Sequence, residues 1–203
     1  MKKVSFGLKG FTQNELASHL VVFLVYFIVL GLLRFKVDFG LFWILVGGLV
    51  GTYLLDVDHL IYWFWSHPEK EDSIKAKETI REIGVGWGIR EIRGGVRKLY
   101  QVLKENHQSH SRLTFHTVTF QIILLILTVY VLSSSGSYFG AGLVLAMNLH
   151  LLKDVWQDYF IKGKEGLADW FLWQIRGWGV DRYLREYLVL TSVVFILISI
   201  LFA

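Results

Sequence analysis

Residues 39–65 read "FGLFWILVGGLVGTYLLDVDHLIYWFW". The first part, residues 39–55, carries no charge and approaches the length of about 20 residues that a helix needs to cross a bilayer core. Asp56, Asp58 and His59 follow, and the chain returns at once to apolar and aromatic residues. Two carboxylates and an imidazole in such a setting are expensive to bury. A compensating group is therefore expected beside them.

Working outward, four further runs have the same character: residues 16–33, 115–132, 138–152 and 187–203. The chain of 203 residues is 54% hydrophobic, with one proline and a mean hydropathy of +0.47. The expected fold class is an all-α membrane protein of about five transmembrane helices, the fourth weakened by its own polar residues. The whole of 1–203 reads as a single integral membrane domain. Lys2 and Lys3 precede the first run, but that run starts late and ends at Leu33-Arg34 without a small-residue cleavage pattern. An uncleaved first helix is expected. Cysteine is absent, which excludes thiolate nucleophiles and thiolate metal ligands.

Lys and Arg set the expected orientation. The N-terminal segment has Lys2, Lys3 and Lys9, loop 67–114 has ten basic residues, and segment 161–186 has five. The "SSSGS" turn and the C-terminus have none. This alternation predicts a multi-pass protein of the cytoplasmic (inner) membrane, N-terminus inside and C-terminus outside. The net charge of +4 then reflects topology and attraction to anionic membrane lipids rather than nucleic acid. Loop 67–114 is expected to be a cytoplasmic helical loop. Its "IKAKETIREI" and "VRKLYQVLKE" read as amphipathic helices around a glycine-rich hinge that matches no phosphate-binding fingerprint. Segment 161–186, with Trp170, Trp173, Trp178, Arg176, Arg182 and Arg185, reads as an interfacial amphipathic anchor or as a lip for a lipid headgroup.

The orientation brings the polar residues of separate runs to one depth. At ~1.5 Å per residue, Asp56 lies roughly 26 Å from the outer start of its helix, on the cytoplasmic side. His19 stands at the cytoplasmic start of the first helix, and His110 and His116 at the entry to the third. His150 and Asp154 fall late in the fourth, four apart and on one helical face. Gly142 and Ala146 continue that face, and Gly48 and Thr52 form a small-residue stripe above Asp56, so the polar groups are expected to face other helices. Imidazoles and carboxylates in such a cluster suit a divalent metal ion. Zinc is the first expectation, with manganese or iron as alternatives. The candidate ligands are His19, Asp56, Asp58, His59, His110, His116, His150 and Asp154. Asp56 and Asp58 are also candidate catalytic bases. Arg112, four residues before His116, is expected to support that ligand or to hold an anionic substrate oxygen. Lys153 either snorkels to the interface or neutralises a carboxylate.

"LLDVDHL" (54–60), "HSRLTFHT" (110–117), "HLLKD" (150–154) and the early His19 resemble, in order and location, the motifs of the YdjM-like family. Its members are small bacterial and archaeal multi-pass proteins described as membrane-bound metal-dependent hydrolases. The resemblance covers about residues 15–160. Leu55 stands where that pattern has proline, Thr117 where it has serine, and the His110–His116 spacing and the place of Arg112 are altered. The resemblance implies hydrolysis through a metal-activated water. A site at the leaflet boundary would most naturally act on an ester or phosphoester of a lipid. Two other readings stay open: an intramembrane ion or proton transporter, and a non-enzymatic membrane scaffold.

Overall fold

The computed structural model of the chain describes residues 15–34, 38–85 and 113–202. Every regular element among them is helical. In chain order these are α1 (Glu15–Arg34), α2 (Phe39–Leu54), α3 (Val57–Ile61), α4 (Glu71–Val85), α5 (Val118–Tyr130), α6 (Tyr138–Phe171) and α7 (Leu184–Phe202). Single π-helical turns extend α3 over Tyr62–Ser66 and α5 over Val131–Ser135. Two short 3₁₀ turns, Arg176–Trp178 and Val180–Tyr183, lead into α7.

Among the described residues, four stretches are long and apolar enough to cross a membrane: Ala17–Arg34, Phe39–Ser66, Val118–Ser135 and Val180–Leu201. Their outward faces are apolar, with Ile28 60%, Leu32 68%, Ile126 66% and Leu190 62% exposed. Side chains of that kind turned away from the protein are at home in hydrocarbon, and helices alone satisfy their backbone groups there. The protein is an all-α membrane protein. The remaining long helix, α6, is the one whose polar residues weakened its apolar signal.

The chain divides into two compact units, one of residues 1–55 with 114–203 and the other of residues 56–113. In the first, α6 is the common partner of α1, α2, α5 and α7. The α2–α6 pair is the tightest. A methyl group added at Gly47 would strike the carbonyl oxygen of Phe139, one at Gly51 that of Leu143, and one at Gly142 that of Ile44. The backbones touch because no side chain intervenes, the usual device for association in lipid. Gly40 lies by Tyr138 and Gly51 by Leu143, so α2 and α6 run in the same direction. Gly31 of α1 lies by Leu41 of α2 while Phe23 and Phe27 lie by Gly48, so α1 runs against α2.

Three polar pairs tie the helices together. Asn148 Nδ2 donates to Thr128 Oγ1 at 2.7 Å, Tyr187 Oη to Gln121 Oε1 at 2.8 Å, and Trp156 Nε1 to Ser192 Oγ at 2.9 Å. Phe23, Phe27, Leu30, Ile44, Leu145, Ala146, Leu152 and Phe195 form the apolar core between α1, α2, α6 and α7. Near its C-terminal end α6 breaks at Gly163 (φ 74°, ψ −177°), a backbone conformation that favours glycine. Leu167, Ala168, Phe171 and Leu172 then pack on Val155, Leu184 and Leu188. The expected interfacial segment is thus half built into the core. Its Trp178, 78% exposed, and Tyr183 stay outside.

The second unit packs Tyr62, Trp63, Ala76 and Leu113 together. Its α4 contains the expected amphipathic helix "IKAKETIREI". The expected helix "VRKLYQVLKE" and the glycines from Gly86 onward lie outside the described residues.

Candidate metal site

Asp38, Thr117 and Ser137 start the helices that matter here. Each accepts a hydrogen bond from a backbone amide three residues on: Leu41, Phe120 and Gly140, at 2.9, 3.2 and 3.0 Å. These caps satisfy amides that a first turn leaves without partners. Thr117, which stands where the resembling family has serine, therefore fixes where α5 begins and holds His116 just ahead of it.

His19, Asp154, His150 and His116 come together at one end of the first unit. All are buried, Asp154 being the most exposed at 8%. His19 Nε2 lies 3.2 Å from Asp154 Oδ1, and His150 Nε2 3.1 Å from Asp154 Oδ2. His116 Nε2 stands further off, 3.8 Å from Oδ2. The rings of His19 and His150 stack at 3.8 Å and 14°, and His116 meets His150 edge-on at 5.6 Å. Three of the four elements expected to converge therefore do so, through side chains of α1, of the segment before α5, and of α6.

Helix α2 contributes backbone. His150 Nδ1 lies 2.6 Å from the carbonyl oxygen of Thr52. Thr52 is in the last turn of α2, where carbonyls have no partner within the helix. A carbonyl oxygen only accepts, so Nδ1 carries the proton. A neutral His150 then presents its Nε2 lone pair to a carboxylate oxygen 3.1 Å away. Two acceptors face each other there, and a cation between them, a proton or a metal ion, makes the arrangement attractive. An imidazole oriented by a backbone carbonyl is also the common state of a metal-bound histidine.

One ligand atom each of His19, His150 and Asp154 lies within 4.8 Å of the others. Tetrahedral zinc with bonds of ~2.0–2.1 Å separates its ligand atoms by about 3.3 Å. His19 Nε2 and His150 Nε2 approach different oxygens of Asp154, Oδ1 at 3.2 Å and Oδ2 at 3.1 Å, separations close to that size and equally those of a hydrogen bond. These buried groups could hold a metal ion.

Lys153 resolves the alternative left by its sequence. It turns inward: its Nζ lies 3.1 Å from Asp154 Oδ1 and 3.1 Å from His19 Nε2, with the side chain 8% exposed. It neutralises a carboxylate rather than reaching for the interface.

The motif Asp56–His59 differs in local structure from the continuous helix its pattern suggests. Helix α2 stops at Leu54, Leu55 and Asp56 form a turn, and Val57 begins α3 with His59 N donating to Asp56 O at 3.1 Å. All three polar residues belong to the second unit, where Asp58 and His59 are buried and Asp56 is half-buried. His110 and Arg112 lie outside the described residues.

Two contributions had no prior place in the site: the carbonyl of Thr52 and the cap of Thr117. A helix end at Leu54 would have signalled the first, and a threonine directly before an apolar run signals the second. Compared with protein-family models, curated proteins and solved structures, the chain matches none.

Proposed function

We propose that the protein is a metal-dependent hydrolase of the cytoplasmic membrane, acting on an ester or phosphoester of a lipid. The observation that carries this reading is the 3.1 Å approach of His150 Nε2 to Asp154 Oδ2, with the His150 ring oriented by the Thr52 carbonyl in an apolar bundle. The motif resemblance to membrane-bound metal-dependent hydrolases, the basic residues flanking the same helix ends and the absence of thiols all support it.

His19, His150 and Asp154 would hold the ion, and His116 stands next to them. A divalent ion in such a place supplies Lewis acidity and a water made acidic enough to act near neutral pH, and zinc is the ion that best fits an imidazole-rich set. The chain's own part is positional. Thr52 fixes the tautomer and tilt of His150, Thr117 fixes His116, and the close α2–α6 contact excludes water from behind the imidazoles. The helix ends would set the site at the level of lipid headgroups, which is why a lipid ester or phosphoester is the proposed substrate. Asp56 and Asp58 keep their proposed role as bases on the chemistry of carboxylates alone.

The test is metal analysis of the purified full chain, then turnover of fluorescent phospholipids in mixed micelles by wild type, His150→Ala and Asp58→Asn. Stoichiometric metal lost in His150→Ala, together with turnover lost in both variants, is the expected result. Intact turnover in Asp58→Asn removes the second unit's carboxylates from the mechanism. Bound metal without cleavage, but with metal-dependent flux in proteoliposomes, replaces the hydrolase by a transporter. A metal-free protein sinks both.

A further inference from the structure

His19 Nε2 has one lone pair. With the His19 proton on Nδ1, that lone pair faces an ammonium: Lys153 Nζ lies 3.1 Å from Nε2 and 3.1 Å from Asp154 Oδ1, which is itself 3.2 Å from Nε2. A lysine ammonium carries only donors, so both contacts are donated by Lys153 and accepted by His19 and Asp154. A metal ion liganded by His19, His150 and Asp154 needs the same lone pair, at ~2.0–2.1 Å. The nitrogen cannot serve both. Two cations on one small set of donors also repel each other strongly where water is scarce. The lysine is tethered beside Asp154 on the same turn of α6, and its side chain is almost fully buried. It is therefore tethered beside the donors at high effective concentration.

We propose that Lys153 is an internal competitor for the metal. It holds His19 and Asp154 together when no ion is there, and it must leave His19 Nε2 before an ion can bind. This rests on the reading of the His/Asp cluster as a metal site. It goes beyond that reading in assigning to Lys153 control over how readily the site loads. The lysine weakens metal affinity in return for a site that stays assembled while empty. It also discriminates by charge: a monovalent ion offers His19 and Asp154 little more than the ammonium already supplies, whereas a divalent ion does.

The experiment is calorimetric titration of the full chain in detergent with zinc, for wild type, Lys153→Met and Lys153→Arg. The expected result is unchanged stoichiometry with at least tenfold tighter zinc binding in Lys153→Met, and near-wild-type affinity in Lys153→Arg. Equal or weaker binding in a Lys153→Met protein that elutes and melts as a folded monodisperse species overturns the proposal. A wild type that binds no zinc, beside a Lys153→Met variant that does, still supports the competition. No binding in either overturns both this proposal and the metal reading, whereas zinc bound equally by both overturns this one alone.

A second measurement needs no variant. Amine acetylation of the wild-type protein, read by mass spectrometry with Lys162 as internal reference, should label Lys153 several-fold faster once zinc is added. Labelling that zinc leaves unchanged or slows overturns the displacement.

Discussion

The Nδ1 of His150 donates to the carbonyl oxygen of Thr52 across 2.6 Å, from α6 to the last turn of α2. One bond thereby ties together a helix end, a tautomer and the orientation of a candidate ligand. Thr52 can accept because its own helix stops two residues later, at Leu54. The break that interrupts the apolar run is what frees the carbonyl.

The tautomer gives the first prediction. In metal-free protein, the ¹⁵N spectrum of His150 should show a protonated Nδ1 and, in the neutral form, a bare Nε2. On addition of ¹¹³Cd as a zinc surrogate, scalar coupling should appear to Nε2 of His150 and not to Nδ1. Coupling to Nδ1 would mean that the Thr52 bond breaks on loading, and the orientation argument would fall.

The second prediction concerns Asp154, whose oxygens face His19, Lys153, His150 and His116. Asp154→Asn leaves the Lys153 ammonium buried without its carboxylate. Removing one partner of a buried ion pair costs about 3–5 kcal/mol. Lys153→Met in the same background removes the stranded charge. The double variant should therefore melt well above Asp154→Asn alone, as measured by thermal unfolding in detergent. If Lys153→Met does not rescue Asp154→Asn, the two residues are not coupled as their 3.1 Å separation implies.

Much of this arrangement was legible in the residues, for identifiable reasons. Run length alone marks helices such as α1 and α5, because a bilayer demands length. The alternation of Lys and Arg was the reason to expect opposite directions for successive runs, and opposite directions, as between α1 and α2, are what bring His19 to the end that carries His116, His150 and Asp154. The end of α2 was not legible. Leu55-Asp56 contains neither glycine nor proline, so the apolar pattern runs on as though the helix did. Which glycines meet which helix was only half visible as well. The small-residue stripe at Gly48 and Thr52 was evident, yet Gly47 and Gly51 take the α6 backbone and Gly48 receives Phe23 and Phe27. The inward turn of Lys153 depends on His19, 134 residues away in sequence, and no local pattern encodes it.

The third prediction isolates one polar contact inside the bundle. Asn148 Nδ2 donates to Thr128 Oγ1, which itself donates to the Leu124 carbonyl. Measured couplings of this kind in a membrane protein average about 0.6 kcal/mol and reach about 1.7. A double-mutant cycle with Thr128→Val and Asn148→Leu should return a coupling in that range, read from unfolding in mixed micelles. A coupling near zero would show that the polar atoms find other partners as easily.

The last prediction uses glycines of opposite sign. A methyl group at Gly142 would meet the Ile44 carbonyl and, at 2.9 Å, the backbone nitrogen of Gly48. Neither is a flexible side chain, so α2 and α6 must separate. Overpacking of this kind costs about 1–3 kcal/mol, and the separation would also lengthen the His150–Thr52 bond carried on the same two helices. At Gly31 the nearest atoms are methyl groups of Leu41 at 3.9 Å, an ordinary contact. An alanine there gains up to about 1 kcal/mol of helix propensity at no steric cost. Gly142→Ala should therefore lower the melting temperature and weaken metal binding together, while Gly31→Ala should leave metal binding unchanged and raise the melting temperature slightly. Thermal unfolding and zinc titration on both variants check this. A Gly142→Ala protein as stable as wild type would mean that the α2–α6 backbones do not touch as described.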